Sequence, residues 1–351
     1  MTEMETIETN FHKYPSIENT YQEEFINRIR MNGYADIKYF ITEKIHGSNT
    51  QIAYDLRTGE FTYGRRTAPL EDGEKCYNVQ SCFDKIKENV IELAEYLKPS
   101  VQATTKSELL TVIVFGEVFG GSYPHKDVPK DNHASRVQKG VFYSNHNQWK
   151  AFDVAYTVAG SDRLHFLSGF DFFTACGAVG IDTVPLLAVV NNLDEALAYA
   201  NNGTSIVYKN YDLPELENNI MEGVVIKPWN VDIWIGQHRL ALKNKSEAYK
   251  EKSHEKKIDV QKEYSENVKK ALEGISAYIT ENRVNNVISH EGEVTVKDIG
   301  KIIGLSAKDA VEDFKKESPV WNLLEKAEEK IVTKAIQAQM ATLVRKVILG
   351  G

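Results

Sequence analysis

Apolar residues recur along this chain in two rhythms. Over the first two thirds they form short runs rich in β-branched and aromatic residues, Ile37 to Glu43, Thr50 to Asp55 and Phe61 to Gly64, which predict strands. Arg57-Thr58-Gly59 supplies the turn between the second and third of these. Val79, Phe83, Ile86, Val90, Leu93 and Leu97 then recur at alternating spacings of four and three, which predicts an amphipathic helix that Pro99 should stop. Leu109 to Val118 is nearly continuous in apolar residues and reads as a buried strand. Tyr123 to Asn147 is polar, rich in His, Lys and Asn, and predicts a loop over a site. Strands recur near Lys150 to Tyr156, Gly223 to Lys227 and Arg239 to Lys243.

After Lys245 the strand signals vanish and a helical period takes over. Val268, Leu272, Ile275 and Ile279 mark one helix and Val296 to Gly304 a second. Ser306 opens a third, with Asp309 at the capping-box position. Ser318-Pro319 reads as the start of a long final helix that ends near Leu349-Gly350-Gly351. No internal repeat is present. The change of rhythm divides the chain into an expected α+β domain over residues 1–247 and an all-α domain over residues 248–351.

Composition narrows the class. A chain of 351 residues can bury two separate cores, and 42% hydrophobic with 26% charged residues is ordinary for a soluble globular protein. No apolar run approaches the roughly 18 residues that span a bilayer. Met1 to Asn10 is acidic and polar, unlike a secretory signal, and Cys76, Cys82 and Cys176 lack Cys-x-x-Cys spacing, so reduced thiols in a cytoplasmic protein are expected. The net charge of -8 argues against indiscriminate coating of nucleic acid. Positive charge is local instead. It gathers at Arg65-Arg66, at Lys126 to Lys139 and at Lys243 to Lys257, where six lysines face three glutamates. The last run reads either as a solvated helical face with Glu–Lys pairs or as part of a surface that grips a broken nucleic-acid end.

The candidate chemistry begins at Lys44-Ile45-His46-Gly47-Ser48-Asn49, directly after the apolar-rich run Ile37 to Ile41. A lysine at a strand end, followed three residues later by glycine, fixes an amine where the backbone turns close to a phosphate. A lysine becomes a nucleophile when desolvation or a neighbouring cation lowers its pKa. Taken alone, the tetrad reads as a solvated lysine before a turn. Its company changes that. Phe115-Gly116-Glu117, Ala151-Phe152-Asp153, Glu222-Gly223-Val224-Val225-Ile226-Lys227 and Leu240-Ala241-Leu242-Lys243-Asn244-Lys245 are each a strand-like run that delivers a polar group. Lys243 and Lys245 alternate along a strand and so share a face. Glu117 and Glu222 lie at the ends of apolar strands, where an unpaired carboxylate is costly. Phe152, by position alone, is a core ring.

These segments, in this order, resemble the nucleotidyltransferase motifs shared by DNA ligases, RNA ligases and messenger-RNA capping enzymes. Glu43 to Asn49, Arg65-Arg66-Thr67 and Asn282-Arg283-Val284-Asn285-Asn286-Val287-Ile288-Ser289 resemble, more narrowly, the phage RNA ligase 2 family, which includes the kinetoplastid RNA-editing ligases. The resemblance runs from about Tyr14 to about Asp313. It implies an antiparallel-sheet nucleotidyltransferase (adenylyltransferase) domain followed by an all-α domain that engages nucleic acid. It also implies an ATP-dependent RNA ligase, with Lys44 taking AMP from ATP and passing it to a 5′-phosphate.

By the same resemblance, Lys243 and Lys245 contact the α-phosphate, Glu117 accepts from the ribose hydroxyls, and Glu222 supports the reacting lysine and a hydrated Mg²⁺ or Mn²⁺. Asn49 holds a metal-bound water or a phosphate oxygen. Phe152 lies against the adenine face, Glu43 and the Ile45 backbone read the adenine edge, and Arg66 contacts the nucleotide and the incoming end. His46 is either a structural group or a contact to nucleic acid. Arg283 is implied to capture a phosphate, and Asp309 is either a helix cap or a nucleic-acid contact. Ser48 stands where the family often carries threonine, a departure that keeps the hydroxyl.

The implied partner is nicked duplex RNA, or an RNA/DNA duplex with RNA on the 3′-hydroxyl side; no membrane and no obligate protein partner are implied. A DNA ligase or capping enzyme usually carries an oligonucleotide-binding barrel after the Lys-x-Lys motif, whereas helical sequence follows here. A non-enzymatic end-binding scaffold would not need Lys44, Glu117, Glu222, Lys243 and Lys245 together.

Overall fold

The computed structural model describes residues 11–71, 73–252, 258 and 263–349. The acidic segment Met1 to Asn10, part of the lysine-rich run including Lys256 and Lys257, and the final Gly350-Gly351 lie outside the described residues. The chain divides into two compact units, Met1–Ser246 and Glu247–Gly351.

The strands of the first unit are, in chain order, β1 (Glu18–Asn19), β2 (Tyr39–Glu43), β3 (Ser48–Asp55), β4 (Phe61–Arg65), β5 (Leu109–Gly120), β6 (Asn147–Val158), β7 (His165–Phe166), β8 (Leu186–Val190), β9 (Gly223–Pro228), β10 (Trp234–Ile235), β11 (His238–Arg239) and β12 (Leu242–Lys245). They build two five-stranded sheets, ordered β1-β12-β9-β2-β8 and β4-β3-β5-β6-β7, and a two-stranded ribbon β10-β11. Pairing is antiparallel except between β1 and β12. Four helices accompany them: α1 (Glu23–Met31), α2 (Val79–Thr105), α3 (Gly169–Val179) and α4 (Leu193–Leu197).

The predicted apolar stripe of α2 is its buried face. Phe83, Val90, Leu93 and Leu97 pack in one core with Val112, Val114 and Val154 from the second sheet. Pro99 does not stop this helix, which continues to Thr105 and ends where Lys106 adopts a left-handed conformation. Proline's fixed φ suits a helix; its cost is one lost donor and crowding of the carbonyl four residues earlier. Pro99 and Glu95 are both exposed, so water can take that carbonyl. A second core joins Phe25 and Ile29 of α1 to Tyr39, Ile41, Val224 and Ile226 of the first sheet. The predicted loop Tyr123 to Asn147 has no helix or strand until β6 opens at Asn147. It is nonetheless tied down, because the Asn147 amide bonds both the Asn78 side chain and the Ser135 backbone.

A buried ionic hub spans the two sheets. Asp153 on β6 accepts from Tyr14 Oη at 2.7 Å, from Lys227 Nζ on β9 at 2.9 Å and from the Arg239 guanidinium, which also pairs with Asp232. Burial opposes the charge on Asp153, yet Arg239 and Lys227 hold its carboxyl below the usual range.

The second unit is helical throughout its described residues: α5 (Glu266–Ile275), α6 (Glu281–Glu291), α7 (Ile299–Glu317) and α8 (Lys326–Leu349), with short 3₁₀ turns between them. Three sequence expectations are corrected here. The Val268 to Ile279 period is split, because α5 ends at Ile275 and a fresh helix, capped by Thr280 accepting from the Arg283 N–H, begins at Glu281. Ser306 opens no helix; it lies buried inside α7, and the real capping box is Thr295 with Asp298. Ser318-Pro319 starts only a 3₁₀ turn, Pro319–Leu323, and α8 is separate. A serine–proline start is local information, whereas the core formed by Trp321, Leu324 and Val332 decides how far each helix runs. No helix among the described residues is long and apolar enough to cross a membrane.

Asp153→Asn is expected to destabilise the protein by about 3–5 kcal/mol in urea unfolding, because it leaves two buried cations short of a carboxylate. Since the folded protein holds this carboxyl below its unfolded value of about 4, the stabilisation it supplies is full above that pH and disappears as the pH falls further. The Asp153→Asn penalty should therefore shrink on acidification.

Candidate active site

Lys44 to Gly47 is the four-residue link between β2 of one sheet and β3 of the other. The Lys44 N–H donates to the Gly223 carbonyl at 2.9 Å, which docks the start of the link against β9. Register does the rest: Glu43 lies opposite Val224, and Lys245 opposite Gly223. Glu222, at the head of β9, is thereby flanked by both lysine-bearing strands. Its Oε2 accepts from Lys44 Nζ at 2.8 Å and lies 3.4 Å from His46 Nδ1, and its Oε1 lies 3.0 Å from Lys245 Nζ. Glu222 is 1% exposed. Burial opposes its charge, but Lys44, Lys245 and His46 overcome that and hold its carboxyl well below the usual range.

Glycine is required twice in this frame. A methyl group on Gly47 would overlap the Val118 carbonyl oxygen and crowd the Glu117 side chain, so only glycine lets the link press against β5. A methyl on Gly223, at φ +154°, would overlap the Asn244 carbonyl on β12.

The second sheet supplies the opposite wall. Glu117 on β5 lies in register with Asn49 on β3. Burial pushes the Glu117 carboxyl up to about 8, against the pull of Lys44 and Arg66 and with the push of Glu222. At neutral pH it is therefore largely protonated, beside an ionised Glu222. Arg66 is partly exposed just past β4, and its charge acts on Glu117.

Two acceptors beside these walls have no partner: Glu43 Oε1, next to Lys44 in the chain, and Asn49 Oδ1, in register with Glu117, are buried without a hydrogen bond. Such groups cost about 1–3 kcal/mol each when left unmade. Glu43 Oε2, by contrast, accepts from the Ile206 N–H at 3.0 Å.

Phe152 is only half-buried, and the reason is a bulge. Register on β6 jumps from Phe115↔Asp153 to Gly116↔Ala151, which leaves Phe152 as the extra residue. Bulges re-aim a side chain out of the alternation, an effect that strict period-two reading misses. Its ring meets Tyr14 edge-on at 5.0 Å. Lys243 is half-buried and alternates with Lys245 along β12, while Ile45 is buried beside the nucleophile candidate.

Arg283 and Asp309 lie in the second unit. The Arg283 side chain is 0% exposed, with its guanidinium held by Asp309, by Asp313 at 3.0 Å and by the Tyr278 carbonyl at 2.9 Å, and Glu251 at 3.7 Å completes the cage. This corrects the phosphate-capture expectation, since a cation enclosed by three carboxylates is neither accessible to a phosphate nor in need of one. Asp309 lies inside α7 and pairs with Arg283, so it is not a helix cap, while its side chain stays partly exposed. Glu251, Asp309 and Asp313 bring oxygens within 4.8 Å of one another, close enough for a metal, but the guanidinium supplies the cation.

Residues 37–245, more than half of the chain, match the family model described as RNA ligase. The chain belongs to the RNA ligase family. Residues 261–342 of this family member also match the T4 RNA ligase 2 C-terminal model. The mitochondrial RNA-editing ligase 1 of Trypanosoma brucei brucei is similar at 25% identity, over 84% of this chain and 74% of that one. The mitochondrial RNA-editing ligase 2 of the same organism is 29% identical over 42% of this chain and 37% of its own length. Among solved structures, a Naegleria gruberi RNA ligase is similar at 16% identity and a TM-score of 0.44, over 68% of this chain. This chain spans only 57% of the length of that solved protein.

Two outcomes test the site's electrostatics. A carboxyl raised on folding stabilises below its unfolded pKa and loses that contribution as pH rises through the folded value. Glu117→Gln, which mimics the protonated form, should therefore raise the melting temperature of the ligand-free protein relative to the parent increasingly as pH rises from 6 through about 8. Arg283→Ala should cost about 3–5 kcal/mol in urea unfolding, with the loss shrinking at acid pH as the abandoned carboxylates take up protons.

Proposed function

We propose that this RNA ligase family member is an ATP-dependent RNA ligase that joins 5′-phosphate and 3′-hydroxyl ends through a lysyl-AMP and then an adenylated 5′ end. The observation that carries the reading is Glu222, buried between Lys44 and Lys245 at the junction of the two sheets. Lys44 Nζ would attack the α-phosphorus of ATP, forming a P–N bond as the bond to pyrophosphate breaks. The 5′-phosphate of the RNA then displaces lysine and takes the AMP, and the neighbouring 3′-hydroxyl attacks that phosphate and releases AMP.

Each residue has a distinct task in this scheme. Glu222 aims the amine rather than acting as a strong base, since its neighbours keep its proton affinity low. Lys245, with Lys243 on the same face of β12, offers positive charge to the α-phosphate as negative charge redistributes there. Protonated Glu117 can donate to or accept from ribose hydroxyls. The orphaned Glu43 Oε1 fits the exocyclic amino group of adenine, and the Ile45 backbone reads the same edge. Phe152, turned out by the bulge, offers a face to the base. Arg66 reaches the phosphates or the incoming end.

Hard oxygen donors in this set, Glu222 and the orphaned Asn49 Oδ1, fit a hydrated Mg²⁺ or Mn²⁺. Such an ion would neutralise the crowded triphosphate and assist departure of pyrophosphate. The helical unit would engage the nucleic acid, and nicked duplex RNA, or RNA/DNA with ribose on the 3′-hydroxyl side, is the substrate proposed.

The decisive test is transfer of label from α-labelled ATP to protein. Lys44→Ala and Lys44→Arg should take none, the latter because a guanidinium stays protonated; acid-labile label on either variant would end this mechanism. Lys245→Ala should slow labelling by about 10²–10³-fold. GTP should label far less than ATP. Sealing of matched nicks with ribose or deoxyribose on each side then measures substrate choice, and faster sealing of all-DNA nicks would overturn the RNA reading.

A further inference from the structure

The link that carries Lys44 has little ladder support of its own. Residues 44–47 lie outside both sheets. An amine that must approach a phosphorus in line cannot sit on a loose turn, since about 1 Å of misplacement costs on the order of a hundredfold in rate. Two polar arms grip this turn, and both lead back to one residue, the first through its side chain and the second through its backbone carbonyl.

The first arm starts at Asn219, which is 2% exposed and lies three residues before Glu222. Its amide pairs with the backbone of Phe142 in both directions: Oδ1 accepts the Phe142 N–H at 2.8 Å, and Nδ2 donates to the Phe142 carbonyl at 2.7 Å. That pairing fixes the neighbouring Tyr143, whose fully buried ring stands edge-on to Phe119 at 5.3 Å. The Tyr143 hydroxyl accepts the His46 N–H at 2.9 Å. The second arm leaves Asn219 through its carbonyl, which accepts the Ser205 N–H at 2.9 Å. The adjacent Ile206 N–H donates to Glu43 Oε2 at 3.0 Å. Glu43 and His46 flank Lys44 on either side by one and two residues.

We infer that Asn219 is a positioning residue for lysine adenylylation, bracing the Lys44 turn from both ends through Tyr143–His46 and Ser205/Ile206–Glu43. The chemistry of the residue suits the task. An amide is the one uncharged side chain that presents a donor and an acceptor in a plane, as a peptide does, so it can clamp a loop backbone without burying a charge. Tyr143 carries the constraint onward with only two side-chain torsions to freeze. Neither residue carries a spacing or motif signal in the sequence.

The inference rests on Lys44 being the nucleophile, and the test separates the two. Full-length Tyr143→Phe, Asn219→Ala and Lys44→Ala are compared in two reactions: self-labelling by ATP, and sealing of a nick whose 5′ end is already adenylated, which needs no lysine adenylylation. Tyr143→Phe removes one hydrogen bond and should slow self-labelling about tenfold at saturating ATP. Asn219→Ala should slow it about a hundredfold. In both, the KM for ATP and sealing of the adenylated nick should stay within about twofold of the parent, the split expected when only nucleophile placement is lost. Should Asn219→Ala fail to fold, Tyr143→Phe decides. Self-labelling at the parental rate would overturn the brace, and so would equal loss of both reactions, which marks general damage. If Lys44→Ala still takes label, it is the nucleophile assignment that falls.

Discussion

One buried carboxylate organises the first unit's site. Glu222 is almost wholly withdrawn from water, and a charge there survives only because Lys44, Lys245 and His46 surround it. Removing the carboxylate would leave two neighbouring lysines without a counter-charge, which is far costlier than the cluster is stabilising. The constraint therefore runs both ways. Strands β2, β9 and β12 must keep their register for the carboxylate to be tolerated, and their register places two lysines within reach of one point. Stability of the sheet and placement of the amines are the same requirement.

The paired acids show how little sequence distance and chemical identity determine alone. Glu117 inside β5 and Glu222 just before β9 are both buried glutamates of one site, yet burial pushes the first up to about 8 while cationic neighbours hold the second well below its usual range. One is a neutral hydrogen-bonding group at physiological pH and the other a fixed negative charge. Their environments push the two proton affinities apart, so one site holds a neutral carboxyl and a charged carboxylate side by side.

Two further ionic clusters play a different part. Asp153 with Lys227, Arg239 and Tyr14 ties the two sheets of the first unit together, and Arg283 with Asp309, Asp313 and Glu251 ties helices α6 and α7 to the segment preceding them. Both balance their charges among their own members. The active-site cluster differs, because partnerless acceptors remain on Glu43 and Asn49, which flank the Lys44 turn in the chain. A net charge of -8 is compatible with a nucleic-acid end as substrate, since the positive charge that matters is held in one cleft.

The sequence by itself determined what depends on short-range periodicity. The β2–β3 and β5–β6 strands, the buried stripe of α2, the change to helices after Lys245 and the alternation of Lys243 with Lys245 all follow from spacing. So does the position of Lys44 at a strand end before a glycine. Tertiary structure decided the rest, because the deciding contacts join residues far apart in the chain. Pro99 stays helical at an exposed point of α2, and Ser306 is not a cap because the apolar contacts of α7 override a local signal. Phe152 is re-aimed by a bulge that no alternation reveals, so that it packs half-buried against Tyr14. Arg283, which the family resemblance implies as a phosphate contact, is instead paired with Asp309 and Asp313, which arrive one turn apart on α7. Asn219 and Tyr143 were invisible for the same reason: an amide that clamps a backbone seventy-seven residues away leaves no trace in spacing, only in the folded chain.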